Sequence, residues 1–444
     1  MKLKDSKMKL AMFGGTKVRE KPFMSRPHIN ALERNYVNKC LDEKMFSRFV
    51  GSPTSNFREL LALPSSKVEE LEEFWSVLGG PFVRKFEAEF ARKHNVDFAI
   101  SSNSATSSLI SACIACGLSA EDEVITSPMS FTATSTAIRI AGPKVVFADV
   151  DRETFCLTVD SIKKRLTTKT KAVVVVHLLG NSGEIDLIHQ FCKEMNLILI
   201  EDSAQALMTK KNNKFCGTWG AIGVFSFQET KNIMTGEGGM AITNDPLLAY
   251  KCRLIRNHGE SMVFLPEDED IIKAAVGYNF RLQEPLAAIG YAQAQKMEML
   301  QEIRRQNGDY LANKLSMFNF LKKVKTTNDS GQFSPYCFGL TYSNAEIHRD
   351  TFALALRAEG IPVSTGFSRL LNENPITIES TDFTPNSLWL NYESYLGFFQ
   401  VGYPNTKKDM DDIVTAVEKV SNNFDELKLN MPNSVSREYS TGRI

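Results

Sequence analysis

Between residues 98 and about 245 the chain alternates short, apolar, β-branched runs with segments of helix length. The runs fall at 98–101, 123–126, 144–150, 172–177, 197–201, 223–227 and 240–243. Strand-like runs that alternate with helical stretches predict a mainly parallel central sheet with helices on both faces, an α/β architecture. Ligands of such sheets bind beyond the carboxyl ends of the strands. Phe131 follows the second run and Asp202 the fifth, and Ser226 with Lys231 falls at and after the end of the sixth.

Further along, Leu286, Ile289, Ala292, Met297, Leu300 and Ile303 recur at helical spacing, predicting one long amphipathic region over 285–325. A strand near 336–342, a helix over 349–359 and a final helix over 408–427 then predict a smaller α+β C-terminal domain. The domain reading is an N-terminal arm with an extra helical segment at 1–78, a large domain at 79–290, a small domain at 291–428 and a tail at 429–444. The tail is polar with few apolar anchors and is expected to fray.

Composition narrows the class. A chain of 444 residues can bury the core of a two-domain enzyme. Its 52 basic residues balance 52 acidic ones, so the totals carry no electrostatic footprint for nucleic acid or an anionic membrane. There is no apolar run of 18 residues, and the basic start Met1-Lys2-Leu3-Lys4 lacks an apolar stretch after it, which predicts a cytoplasmic protein. Of eight cysteines only Cys113 and Cys116 form a CxxC; without a second pair or nearby histidines, no metal site is expected, and two thiols on a buried helix face suffice. His28, His94, His177, His189 and His348 show no ligand spacing.

The chemistry is concentrated in two places. Phe225-Ser226-Phe227-Gln228-Glu229-Thr230-Lys231, running into Gly236-Glu237-Gly238-Gly239, delivers a serine and then a lysine before a turn where a bulky group can approach the backbone. A desolvated lysine amine condenses with an aldehyde. Upstream, the apolar run Ile198-Leu199-Ile200 breaks into Glu201-Asp202-Ser203-Ala204-Gln205. Pyridoxal phosphate (PLP) needs both a lysine for covalent attachment and a carboxylate to keep its ring nitrogen protonated. Without Lys231, the acid would read better as a helix cap. Asn103-Ser104-Ala105-Thr106 follows a strand and opens a helix, where free N–H groups and the dipole favour an anion, or where Ser104 is a plain N-cap.

Together with Lys9-Leu10-Ala11 and Gly14-Gly15, Gly79-Gly80-Pro81-Phe82-Val83, Asp122-Glu123-Val124-Ile125, Val176-His177-Leu178-Leu179-Gly180, Arg256-Asn257-His258-Gly259 and Gly277-Tyr278-Asn279-Phe280-Arg281, these segments resemble the DegT/StrS family of PLP-dependent sugar aminotransferases. The resemblance covers about residues 8–420 and implies the type I (aspartate-aminotransferase) PLP fold. It implies that Lys231 carries the cofactor, that Asp202 pairs with the ring nitrogen, and that Gln205 lies near the ring hydroxyl. Phe131 is implied to stack on the ring, while Ala105, Thr106 and Ser226 cradle the phosphate. Many relatives have Gly at the position of Ala105. Asn279 matches a residue that reaches the phosphate of the neighbouring subunit, implying a homodimer with shared active sites. His258 and Arg281 lie in matching loops and meet substrate acid groups or phosphate, or else form structural salt bridges.

The implied reaction moves an amino group from glutamate or glutamine to a keto-sugar, nucleotide-linked in most members. Keto-cyclitols and aminobenzoate precursors are alternative acceptors, and a non-catalytic regulator on the same fold is an alternative of another class. Dehydratases of the family carry histidine in place of the lysine, so Lys231 argues against that chemistry.

Relative to the family, residues 45–79 carry extra length: a Pro/Ser-rich piece at 51–56, the capping-box pattern Ser66-Lys67-Val68-Glu69, and the stripe Val68, Leu71, Phe74, Trp75, Leu78. Surface elaboration, dimer contact and a flap near the substrate all fit this composition. The expectation taken forward is a docked helix on a tether that restricts the substrate rather than building the fold.

Overall fold

The protein is described from a computed structural model over residues 8–24, 27–49, 57–71, 76–259, 276–326, 333, 335–374 and 383–431. Its centre is a seven-stranded sheet. Strands β1 (Phe98–Ser102), β2 (Glu123–Thr126), β3 (Lys144–Phe147), β4 (Thr170–Val176), β5 (Ile198–Asp202), β8 (Ile222–Ser226) and β9 (Gly239–Thr243) lie in the order β1-β9-β8-β5-β4-β2-β3. Neighbours from β8 through β3 run parallel, and β9 is antiparallel to both β8 and β1. All seven predicted runs are strands, and the fold is the expected mixed α/β one.

The strands alternate between two cores, as a side-chain period of two requires. Val174, Ile200 and Val224 pack beneath α5 (Ala105–Ala115), α6 (Thr132–Ala141) and α9 (Pro246–Arg256). Val173, Val175 and Leu199 face the opposite core, with α7 (Val159–Lys163) and α8 (Ile185–Glu194). By the same alternation Asp202 and Ser226 project to the α5/α6 face, whereas Glu201 projects to the other. There Glu201 accepts hydrogen bonds from the N–H groups of Gly217 (2.7 Å), Trp219 (2.6 Å) and Gly220 (2.8 Å), with His177 Nε2 at 2.8 Å. A fully buried carboxylate is tolerated because those donors satisfy it.

A small hairpin that sequence pattern did not reveal joins β6 (Lys210–Lys211) to β7 (Lys214–Phe215). Asn212 (φ 48°) and Asn213 (φ 60°) supply its two left-handed turn residues. In the C-terminal part, β10 (Leu321–Lys323), β11 (Phe338–Tyr342) and β12 (Tyr395–Phe398) form an antiparallel sheet over a separate core with Phe352, Leu356, Ile413 and Val417. The region expected as one helix over 285–325 is two, Glu284–Ala294 and Met297–Leu315. The break falls at Lys296 (φ −109°, ψ 3°), whose ammonium is drawn to the Glu33 carboxylate and to the His28 carbonyl at 2.9 Å. The final helix likewise divides into Lys407–Ser421 and Phe424–Asn430, with Asn423 tied to the Met8 carbonyl at 3.2 Å. The tail beyond residue 431 lies outside the described residues. Cys113 and Cys116 lie at the end of α5, and burial, with Cys252 nearby, pushes the Cys113 thiol up to about 12, as expected of packing thiols. Among the described residues no helix is long and apolar enough to cross a membrane, and no cluster of ligating side chains suits a metal ion.

In the extra segment the capping box expected at Ser66 is not formed. Helix α3 spans only Ser65–Glu69, entered through Pro64, and no side chain caps it. The box Ser66 to Glu69 is not used, because the serine that matters is Ser65. Its hydroxyl donates to the Ala99 carbonyl (3.2 Å) and accepts from the Ala99 N–H (2.9 Å), while its own N–H meets the Asp97 carbonyl at 2.8 Å. Strand β1 is the edge of the main sheet, so this contact covers backbone groups that would otherwise be unpaired. Val68 and Leu78 are buried against Tyr250 and Leu254 of α9, and Arg253 donates to the Leu61 and Leu63 carbonyls at 2.6 and 2.8 Å. Residues 51–56 and 72–75, with Phe74 and Trp75, lie outside the described residues. The described part of the segment therefore belongs to the scaffold of the sheet edge, not to a flap. Replacing Val68 with Asp is expected to lower unfolding stability by roughly 3 kcal/mol or more, since it buries an unpaired charge in a packed cluster. A denaturation midpoint equal to that of the parent would restore the flap reading.

Candidate active site

A cavity of about 540 Å³ opens at the carboxyl ends of β2, β5 and β8. Seven of the residues singled out from sequence line it: Ala105, Thr106, Phe131, Asp202, Gln205, Ser226 and Lys231. They arrive on four segments: the start of α5, the residue before α6, the end of β5 with its loop, and the end of β8 with its loop. Ser104 caps α5, accepting from the Ser107 N–H at 3.1 Å, so the amides of Ala105 and Thr106 are first-turn donors with no acceptor inside their own helix. Strand β9 passes this turn so closely that a Cβ at Gly239 would stand 2.5 Å from the Ala105 nitrogen. Gly236 (φ 86°) makes the preceding turn in the left-handed region.

Asp202 is buried and held at both oxygens. Thr134 Oγ1 donates to Oδ2 at 2.7 Å, and the Ala204 N–H donates to Oδ1 at 3.2 Å. Gln205 has a fixed orientation: its Oε1 accepts from the Leu179 N–H at 2.7 Å, which leaves the amide nitrogen as its remaining donor. Leu179 sits at φ 60°, a conformation a branched aliphatic residue seldom adopts, and it lines the cavity beside Phe155 at φ 63°. Two such residues on one wall mark a place where local strain is overruled by the surrounding packing. Phe131 is the residue before α6 and is 69% exposed, unlike a core phenylalanine.

Lys231 lies in the loop after β8, with its Nζ 4.4 Å from the centroid of the Tyr336 ring. The Tyr336 hydroxyl is 3.1 Å from Thr230 Oγ1, so the C-terminal part of the chain closes the cavity over the lysine loop. The walls include the apolar and aromatic side chains of Met129, Leu178, Phe367, Tyr395 and Phe399, with Gln228 and Glu237 among the polar ones. Thr134 and Tyr336 were missed from sequence, because a threonine inside a helix and a tyrosine at a strand entry carry no signal of their own.

Asn279, His258 and Arg281 do not line this cavity. Asn279 bridges to Asn257, and its carbonyl accepts from Asn103 Nδ2 at 3.3 Å, which places it beside the start of α5. Arg281 donates to Asn257 Oδ1 at 2.6 Å and lies over Phe49, and the His258 N–H meets the Tyr278 carbonyl at 2.9 Å. The Lys231 amine, the buried Asp202 carboxylate, a helix N-terminus and apolar side chains around a common space form the donor set that a phosphorylated pyridine aldehyde requires, so the residues present fit PLP.

The profile of the DegT/DnrJ/EryC1/StrS aminotransferase family matches residues 65–416. The chain belongs to this family. It is thereby a PLP-dependent aminotransferase, of the type I fold. Among curated relatives, the chain is similar to a GDP-perosamine synthase of Escherichia coli O157:H7, at 32% identity over 301 residues, 68% of this chain and 73% of the relative. It is also similar to the L-glutamine:2-deoxy-scyllo-inosose aminotransferase of Streptomyces kanamyceticus, at 31% identity over 306 residues, 66% of this chain and 70% of the relative. Among solved structures, that of DesI in the presence of its TDP-sugar product superposes with a TM-score of 0.79 at 26% identity, covering 95% of this chain and 98% of the other.

Proposed function

We propose that this aminotransferase moves an amino group from glutamate or glutamine to a keto-sugar carried on a nucleotide, in amino-sugar biosynthesis. The observation that carries the reading is the opening of Lys231 and Asp202 into one cavity at the strand ends. The names of its relatives support the sugar acceptor, since both the GDP-perosamine synthase and DesI act in the chemistry of nucleotide-linked sugars as named.

In this reading the first-turn amides of Ala105 and Thr106 and the Ser226 hydroxyl would hold the phosphate, Phe131 would cover the ring and exclude water, and the Gln205 amide N–H would serve the ring oxygen. Bound PLP supplies an electron sink that stabilises charge at the carbon losing a proton. Asp202 keeps a proton on the ring nitrogen by charge pairing. Lys231 Nζ accepts the proton from the donor Cα and later returns one to the acceptor carbon, acting as base and then acid. Asn279 would serve the phosphate of a neighbouring subunit, making a homodimer with shared sites the working form. His258 and Arg281 would follow it there toward substrate acid groups or remain in their present contacts.

The test loads the protein with pyridoxamine phosphate and offers nucleotide-linked keto-sugars and keto-inositols in parallel. Return of the visible absorption band with the former is expected. A response only to keto-inositols would favour the second reading, a keto-cyclitol aminotransferase, for which the similarity to the scyllo-inosose enzyme speaks. No response to any acceptor, with the cofactor bound, would favour a regulatory protein on this fold.

A further inference from the structure

The turn that presents Phe131 to the cavity also carries a buried pair of hydroxyls. Ser130 and Thr134 are 4% and 1% exposed, and their oxygens lie 2.8 Å apart across one helical turn. Thr134 Oγ1 spends its single proton on Asp202 Oδ2, because an ionised carboxylate only accepts. Its oxygen can then only accept from Ser130, which fixes the direction of the whole chain: Ser130 donates to Thr134, and Thr134 donates to Asp202. The Ala204 N–H takes the other carboxylate oxygen. Ser130 itself lines the cavity, so the chain runs from the cavity wall to the carboxylate.

We infer that Ser130 and Thr134 are positioning residues for the transamination, a directed hydroxyl chain that holds the Asp202 carboxylate aimed at the ring nitrogen. The inference rests on the reading of Asp202 given above. Hydrogen bonds donated to a carboxylate favour its charged form, and charge-assisted bonds are the strong ones. Placing the chain and Phe131 on the same turn lets one element set both the ring face and the ring-nitrogen partner. A structural hydroxyl would need neither the fixed donor direction nor the contact with this one carboxylate.

The experiment uses the full-length protein loaded with PLP labelled with ¹⁵N at the ring nitrogen, and compares the parent with Thr134→Val, Thr134→Ser and Asp202→Asn. The nitrogen chemical shift reports protonation directly, and steady-state kinetics with glutamate and a nucleotide-linked keto-sugar that restores the visible band are measured beside it. Thr134→Val keeps the side-chain shape but removes the donor. It is expected to move the nitrogen signal from the protonated toward the free-pyridine position and to lower kcat by about 10-fold or more, with KM within about threefold. Thr134→Ser restores the hydroxyl and is expected to return both readouts to near the parent. A parent-like signal and a kcat within twofold in Thr134→Val, with a shifted signal in Asp202→Asn, would overturn the hydroxyl chain alone. An unshifted signal in Asp202→Asn would overturn the assignment of Asp202 and the chain with it.

Discussion

Lys231→Ala is expected to remove transamination, by about a thousandfold or more, while leaving the fold intact. The magnitude follows from losing the covalent anchor and the proton carrier together. The fold is spared because Lys231 occupies a loop after β8, and its side chain contributes a ring contact with Tyr336 rather than a part of either core. The variant is expected to unfold at the same denaturant concentration as the parent and to hold the cofactor without a bond to the chain. Multiple turnovers at a rate near that of the parent, measured with glutamate and a responsive keto-sugar, would contradict the assignment.

Asp202→Asn is expected to lower kcat by about 100-fold with little change in stability. An amide can still accept from the Ala204 N–H and can donate to Thr134 Oγ1, so the local hydrogen bonds survive in altered polarity. What is lost is the negative charge that pairs with a protonated ring nitrogen, and a charge-assisted bond in a buried site is worth about 2–3 kcal/mol, which corresponds to that factor in rate. Turnover within a few-fold of the parent would make Asp202 a structural cap.

The parallel sheet was legible because its strands are continuous apolar runs with helices between them, and because Asp202 interrupts one such run with a charge. Lys231 was legible for a related reason, standing between a buried strand and a glycine-rich turn. Thr134 was not. It meets Asp202 across 68 residues of sequence, and nothing but the fold decides that a polar position in the first turn of α6 faces inward. Tyr336, 106 residues from Thr230, is hidden in the same way. At Ser66 a local motif was present but lost to its surroundings: Pro64 sets the entry of α3, and Ser65 is drawn to the edge of β1. The hairpin at 210–215 escaped because each strand is two residues long and its turn is Asn-Asn rather than a glycine pair.

The central claim is that Lys231 is the residue that carries the cofactor. Borohydride reduction of the PLP-loaded protein, followed by proteolysis and mass mapping, tests it without depending on the acceptor. The pyridoxyl adduct is expected on the peptide containing Lys231 and to be missing from the Lys231→Ala variant. An adduct on any other lysine, or one that persists in the variant at the parent's stoichiometry, would contradict the account.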